Sequence, residues 1–156
     1  MTLHVNGGAF TGNNGDSLRP AATGSSALNV SVAGGTAFAD SNSGVNVSAD
    51  QDADVTFDVT GSTFLRHASH ALQMIVNDNA SAGSIVRGTV ANNSIGDGSA
   101  DSGSHDANGI SYRLGGSADV RLASLRTRSA TPTRRASSSK RCASRRARRR
   151  WARTST

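Results

Sequence analysis

Gly44-Val-Asn-Val-Ser-Ala-Asp-Gln-Asp-Ala-Asp-Val-Thr-Phe-Asp-Val-Thr-Gly-Ser-Thr-Phe64 is the stretch that decides the fold. It contains two runs of strict alternation, Val45-x-Val47-x-Ala49 and Val55-x-Phe57-x-Val59, separated by the acidic segment 50–54. Apolar residues at every second position, rich in β-branched and aromatic types, predict strands with one buried face. A Thr-Gly-Ser turn and the large apolar Phe64 follow the second run.

The same phrase recurs on either side. Val5-Asn-Gly-Gly-Ala-Phe10, Val32-Ala-Gly-Gly-Thr-Ala-Phe38, Val59-Thr-Gly-Ser-Thr-Phe64 and Val90-Ala-Asn-Asn-Ser-Ile95 share an apolar lead, a small or Asn turn and a large apolar close. The leading valines are 27, 27 and 31 residues apart. A second strand position recurs as Leu18-x-Pro20-x-Ala22, Val45-x-Val47-x-Ala49, Leu72-x-Met74-x-Val76 and Ile110-x-Tyr112-x-Leu114, each after a small residue (Ser17, Gly44, Ala71, Gly109). The connecting segments vary in length, the longest being 96–109, and loops accept insertions where strands do not. A fixed period with variable loops is the signature of a repeat architecture. One such repeat alone cannot offset the entropy of ordering its residues. Stacked repeats can, by pairing each strand with its equivalent one coil away and merging the inward side chains into columns.

Residues 44–64 resemble the right-handed parallel β-helix family, which includes pectate-lyase-like enzymes and large bacterial surface or secreted proteins. The resemblance covers residues 3–122. It implies an all-β, right-handed parallel β-helix (solenoid); the repeat frame gives about four to five coils, and composition predicts an irregular or helical basic C-terminal tail after them. The expected division is β-helix repeats over 1–122 and an Arg-rich low-complexity tail over 123–156. Expected inward residues include Val5, Phe10, Val32, Phe38, Val47, Phe57, Val59, Phe64, Met74, Val90, Ile95 and Leu114. Pro20 is expected in the first coil, where one strand edge has no neighbour and the missing N–H is tolerated.

Charge divides the chain at the same place. Residues 1–120 carry four Arg, no Lys and all eleven Asp, a net of −7, whereas residues 121–156 carry thirteen cations and no acid. The inward frame begins again at Val120-Arg-Leu122 and then meets Ser124. Gly, Asn and Asp disappear while Arg accumulates, as a change of reading frame would produce. The tail is therefore expected to form no ordered β-coil. If it is native, its cations would bind nucleic acid with steep salt dependence. No apolar run approaches the roughly 18 residues of a membrane span. The N-terminus carries no readable signal peptide, and the single Cys142 excludes an internal disulfide framework.

The most site-like segment is the 96–109 insertion, where Asp97, Asp101, His105 and Asp106 are the candidate ligand-binding residues for a sugar or a hard cation. Asp50, Asp52 and Asp54 alternate as calcium loops do, but lack the Gly and Glu of an EF-hand; no cofactor is expected, and calcium would be sought at this run. His67 and His70 are spaced to begin a zinc site but lack a visible third ligand, and no metal site is expected. Asp58 and Arg87 are read as outward neighbours forming a surface ion pair. The expected function is a structural or adhesive β-helix module. It would be a fragment of a larger extracellular or surface protein, with a carbohydrate- or surface-binding role. The alternatives are a pectate-lyase-like polysaccharide-degrading enzyme and nucleic-acid binding by the tail. Expected partners are stacking coils of the parent chain or a second copy through the open ends, and polysaccharide.

Overall fold

The computed structural model describes residues 1–129. Each coil contributes three strands. The first coil holds β1 (Thr2–Asn6), β2 (Ala9–Thr11) and β3 (Ala21–Ala22), and the second β4 (Ala27–Ala33), β5 (Ala37–Ala39) and β6 (Val45–Ala49). The third holds β7 (Asp54–Thr60), β8 (Thr63–Leu65) and β9 (Leu72–Val76), and the fourth β10 (Ile85–Ala91), β11 (Ser94–Ile95) and β12 (Ile110–Leu114). Strands β13 (Asp119–Leu125) and β14 (Arg128–Ser129) follow, and no helix occurs among the described residues.

The strands stack into three sheets, β1-β4-β7-β10-β13, β2-β5-β8-β11-β14 and β3-β6-β9-β12. Every pairing within them is parallel. The result is an all-β parallel solenoid. All three faces run together for about three turns, because the shortest sheet has four strands and so three coil-to-coil steps. The expected four to five coils are thus reduced where a complete coil is required, although the first two sheets each count five strands.

Register follows the repeat frame. Val5, Val32, Val59 and Val90 form one continuous column, and Leu28 and Val30 lie directly beside Val55 and Phe57. Inside, Val32, Phe38, Val47, Phe57, Val59, Phe64 and Met74 are completely buried, with Val90 and Ile95 nearly so. Phe10, Phe38 and Phe64 stack along the axis at centroid distances of 5.2 and 5.1 Å, with ring planes 14° and 11° apart. Val5 and Phe10 point inward but stay half-buried, because the first coil has a neighbour on one side only. Pro20 lies in that coil; its carbonyl accepts the Ser48 N–H at 3.0 Å.

Four sequence expectations change. The sequence frame held two strand positions per repeat, and the structure has three: the Phe/Ile positions form their own sheet of two- and three-residue strands. Leu114, expected inside, is 53% exposed, because no described strand covers β12 on its outer edge. The basic segment does not break pairing at residue 123: β13 runs to Leu125, and β14 pairs with β11. Asp58 and Arg87 are not an ion pair, because Asp58 sits opposite Thr89 and Arg87 opposite Thr56.

Local chemistry still marks the frame break. The corner after the first sheet takes a left-handed residue in each coil: Gly7 (φ 78°), Gly34 (68°), Gly61 (60°), Asn92 (56°) and then Arg126 (50°). Glycine and asparagine accept this conformation, whereas arginine is strained there. Ser124 is exposed beside Val90, and Ser129 takes the register position of Ile95. Val120 and Leu122 still pack on the core, so residues 119–129 keep the backbone of a coil and its first inward residues, and the inward pattern fails from Ser124 onward. The remainder of the expected tail, 130–156, lies outside the described residues.

Candidate functional site

The loops that leave β2, β5, β8 and β11 stack on one another and enclose an open groove of about 570 Å³. Its lining includes Asn13, Asp40, Asn42, Arg66, Asp101 and His105, so every coil contributes polar side chains. The stacking comes from backbone bonds between successive loops: Asp40 N–H donates to Leu65 O at 3.1 Å, and Ala68 N–H to Ser41 O at 3.0 Å. The 96–109 insertion is tied down in the same way, with His105 N–H on His67 O at 2.8 Å and Asp106 N–H on Ala68 O at 3.1 Å.

Asp40 and Arg66 occupy equivalent places, two residues beyond the stacked Phe38 and Phe64, and both are left-handed at φ 53°. That shared geometry brings their side chains together. Arg66 Nε and Nη2 donate to the two Asp40 oxygens at 2.7 and 2.8 Å. These donors hold the Asp40 carboxyl below the usual carboxylate range.

The four residues singled out in the insertion separate. Asp101 and His105 line the groove; Asp97 and Asp106 do not. The Asp97 carboxylate accepts the Ser99 N–H at 2.9 Å and the Ser99 hydroxyl at 2.6 Å, bonds that also lower its pKa. Asp106 pairs with His105 Nδ1. Asn13, Asn42, Asp40 and Arg66 were not anticipated. The signal was present in the repeat frame, since Asp40 and Arg66 are each two residues past a repeat phenylalanine.

His67 and His70 do not converge. His70 is half-buried with Nδ1 3.1 Å from Asn108 O. His67 is completely buried, with its ring centroid 6.1 Å from that of Phe64. Ser41 Oγ donates its one hydrogen to Ser43 O at 2.9 Å and accepts from Ser17 Oγ at 2.9 Å. It is therefore an acceptor for His67 Nδ1–H at 3.0 Å, which sets the tautomer. His67 Nε2 has no hydrogen-bond partner among the described residues.

Burial lowers the His67 pKa, against smaller opposing contributions from the nearby Ser41 and Asp40. The folded state then binds fewer protons than the unfolded chain. Its contribution to stability is complete above the unfolded value of about 6.5 and is lost as pH falls from there through the lower folded value. Thermal melts of the full chain should show a lower midpoint at pH 5 than at pH 7.5. His67→Phe should flatten the profile over that interval, and an unchanged slope in this variant would refute the assignment.

The Asp50–Asp54 run is committed to hydrogen bonds, one within its own turn and two to the next coil. Asp50 accepts the Gln51 N–H at 2.9 Å, Asp52 the Ser81 hydroxyl, and Asp54 the Ile85 N–H at 2.9 Å. Among the described residues no three His, Cys, Asp or Glu side chains come together as metal ligands. No helix among them is long and apolar enough to cross a membrane.

Comparison of the chain with protein-family models, with curated proteins and with solved structures found no match.

Proposed function

We propose that this chain is a structural β-helix module of a larger surface or secreted protein, and that it contacts carbohydrate through the loop groove. The observation that carries this reading is the groove's lining: each stacked loop contributes hydrogen-bonding side chains, Asn13, then Asn42 and Asp40, then Arg66, then Asp101 and His105. A linear array of amide, carboxylate and imidazole groups suits the repeated hydroxyls of a neutral polysaccharide. The right-handed sense belongs to the same reading, because about 98% of parallel crossovers within a sheet are right-handed. The downward pKa shift of Asp40, the groove carboxylate held by Arg66, also favours binding over cleavage. A glycosidase acid needs its pKa raised.

Calorimetric titration of the full chain with uncharged oligosaccharides tests the reading. Binding is expected, and Asp101→Ala with His105→Ala should weaken it about tenfold or more, the scale of one or two lost hydrogen bonds. No binding by the wild-type chain, or equal binding by the double variant, would overturn it.

A further inference from the structure

The outward face of the last coils carries an arrangement that neither the fold nor the groove explains. Arg87 on β10 and Arg121 on β13 are direct register partners on adjacent strands, both exposed. Like charges placed opposite each other destabilise a sheet. Arg121 is partly compensated by Asp119, with Nη2 3.1 Å from Oδ2. Arg87 has no ion-pair partner among the described residues. The two arginines border a shallow recess with Thr89 and Ala123. At the next corner, Arg126 and Arg128 line a second recess with Asn92, Asn93 and Ser94. These two arginines also lack an ion-pair partner among the described residues.

The surrounding charge points the same way. Residues 1–84 carry two Arg against seven Asp, whereas residues 85–129 carry five Arg against four Asp. Residues 130–156 add ten cations and no acid. The acidic excess therefore ends inside the repeat frame, and the facing Arg87 and Arg121 lie within it, before the inward pattern fails at Ser124. Neither recess is lined by an aromatic side chain, so neither offers a base a stacking platform.

We propose that Arg87, Arg121, Arg126 and Arg128 form a phosphate-binding strip for the backbone of a nucleic acid, read without sequence preference. A phosphate between Arg87 and Arg121 would turn a repulsive cross-strand pair into two charge-assisted contacts. The corner recess, five residues further along the strand direction, would take a second phosphate of the same backbone. Affinity of this kind rises from counterion release and falls steeply with salt.

The test is binding of the full-length chain to a fluorescent DNA duplex of arbitrary sequence across a salt series. The logarithmic salt slope should shrink by about 0.9 for each phosphate contact removed, so by about 1.8 in Arg87→Gln/Arg121→Gln and again in Arg126→Gln/Arg128→Gln. Arg87→Lys/Arg121→Lys should keep the wild-type slope, which separates lost charge from damaged folding. Circular dichroism should be the same for all variants. Slopes unchanged in both Gln pairs would place all binding in residues 130–156 and overturn the proposal, as would no binding to duplex. A sulfated polysaccharide of matched charge serves as competitor. Displacement of the duplex at equal charge concentration would also overturn the nucleic-acid assignment.

Discussion

Phe38→Ala is expected to cost about 3–5 kcal/mol, the range for deleting a buried aromatic side chain, in chemical denaturation of the full chain. Phe38 is completely buried and stacks on Phe10 on one side and Phe64 on the other. Its removal takes out both aromatic contacts, each contributing about 0.5–1.5 kcal/mol beyond burial, and leaves a cavity bounded by two coils. Phe10→Ala, at the half-buried end of the same stack, should cost clearly less. Natural domains of this size have about 5–15 kcal/mol in total, so the Phe38 variant should be partly unfolded under mild conditions. Equal losses at the two positions would mean that the axial stack does not carry the core.

The second large effect is expected at Gly88. In the column Val30, Phe57, Gly88, Leu122, the glycine leaves room for the Phe57 ring. A Cβ built on Gly88 would lie 2.2 Å from both Cε1 and Cζ of that ring. Phe57 is completely buried and has no open side to retreat to. Gly88→Ala should therefore cost about 1–3 kcal/mol by overpacking, and Gly88→Val more. Gly88 is not in the left-handed region, so alanine meets no backbone penalty and the ring clash is isolated. Phe57→Leu in the Gly88→Ala background should recover part of the loss, and a double-mutant cycle should give a coupling above about 0.5 kcal/mol. Additive changes would mean that the ring does not occupy the space above Gly88.

Gly88 also shows how sequence and packing divide the information. In the sequence it is a gap in the alternation Val86-x-Gly88-x-Val90. In the fold it is the small half of a large–small pair whose large half lies on the preceding strand. Nothing within five residues of Gly88 reveals this, because the complementarity runs across coils.

The longer strands were legible because five to seven residues of half-buried β-strand leave a period-two record. The register was legible because the leading valines are one coil apart: Val5, Val32, Val59 and Val90 are direct partners. The second sheet was not, because a strand of two or three residues such as Ser94–Ile95 points one side chain inward and has no alternation to display. Its phenylalanines were visible as repeat positions without being recognised as a sheet. Arg126 and Ser129 were read as tail because their residue types fit no strand. The structure pairs Ser129 with Ile95 and sets Arg126 at the corner equivalent to Asn92, because pairing along a preceding coil constrains backbone irrespective of side chain.

The groove divides in the same way. The 96–109 insertion announced itself by length and by its Asp and His content, and two of its four candidates, Asp101 and His105, reach the groove. Asp97 does not, because short-range bonds to Ser99 hold its carboxylate. Such competition is decided by local geometry. Asp40 and Arg66 were scattered singletons in the sequence, 26 residues apart, and became a bidentate pair because equivalent positions in successive coils are neighbours in space.

The sequence by itself determined the parallel solenoid, its period, the main inward columns and the separation of an acidic repeat region from a basic end. Each of these follows from side-chain periodicity or composition, which are properties of the chain read in one dimension. Only the tertiary structure decided the second sheet, the fully buried His67, the Asp40–Arg66 pair, the make-up of the groove and the facing arginines of β10 and β13. Each of these depends on which residue lies one coil away, and that neighbour is set by the variable loop lengths between the strands.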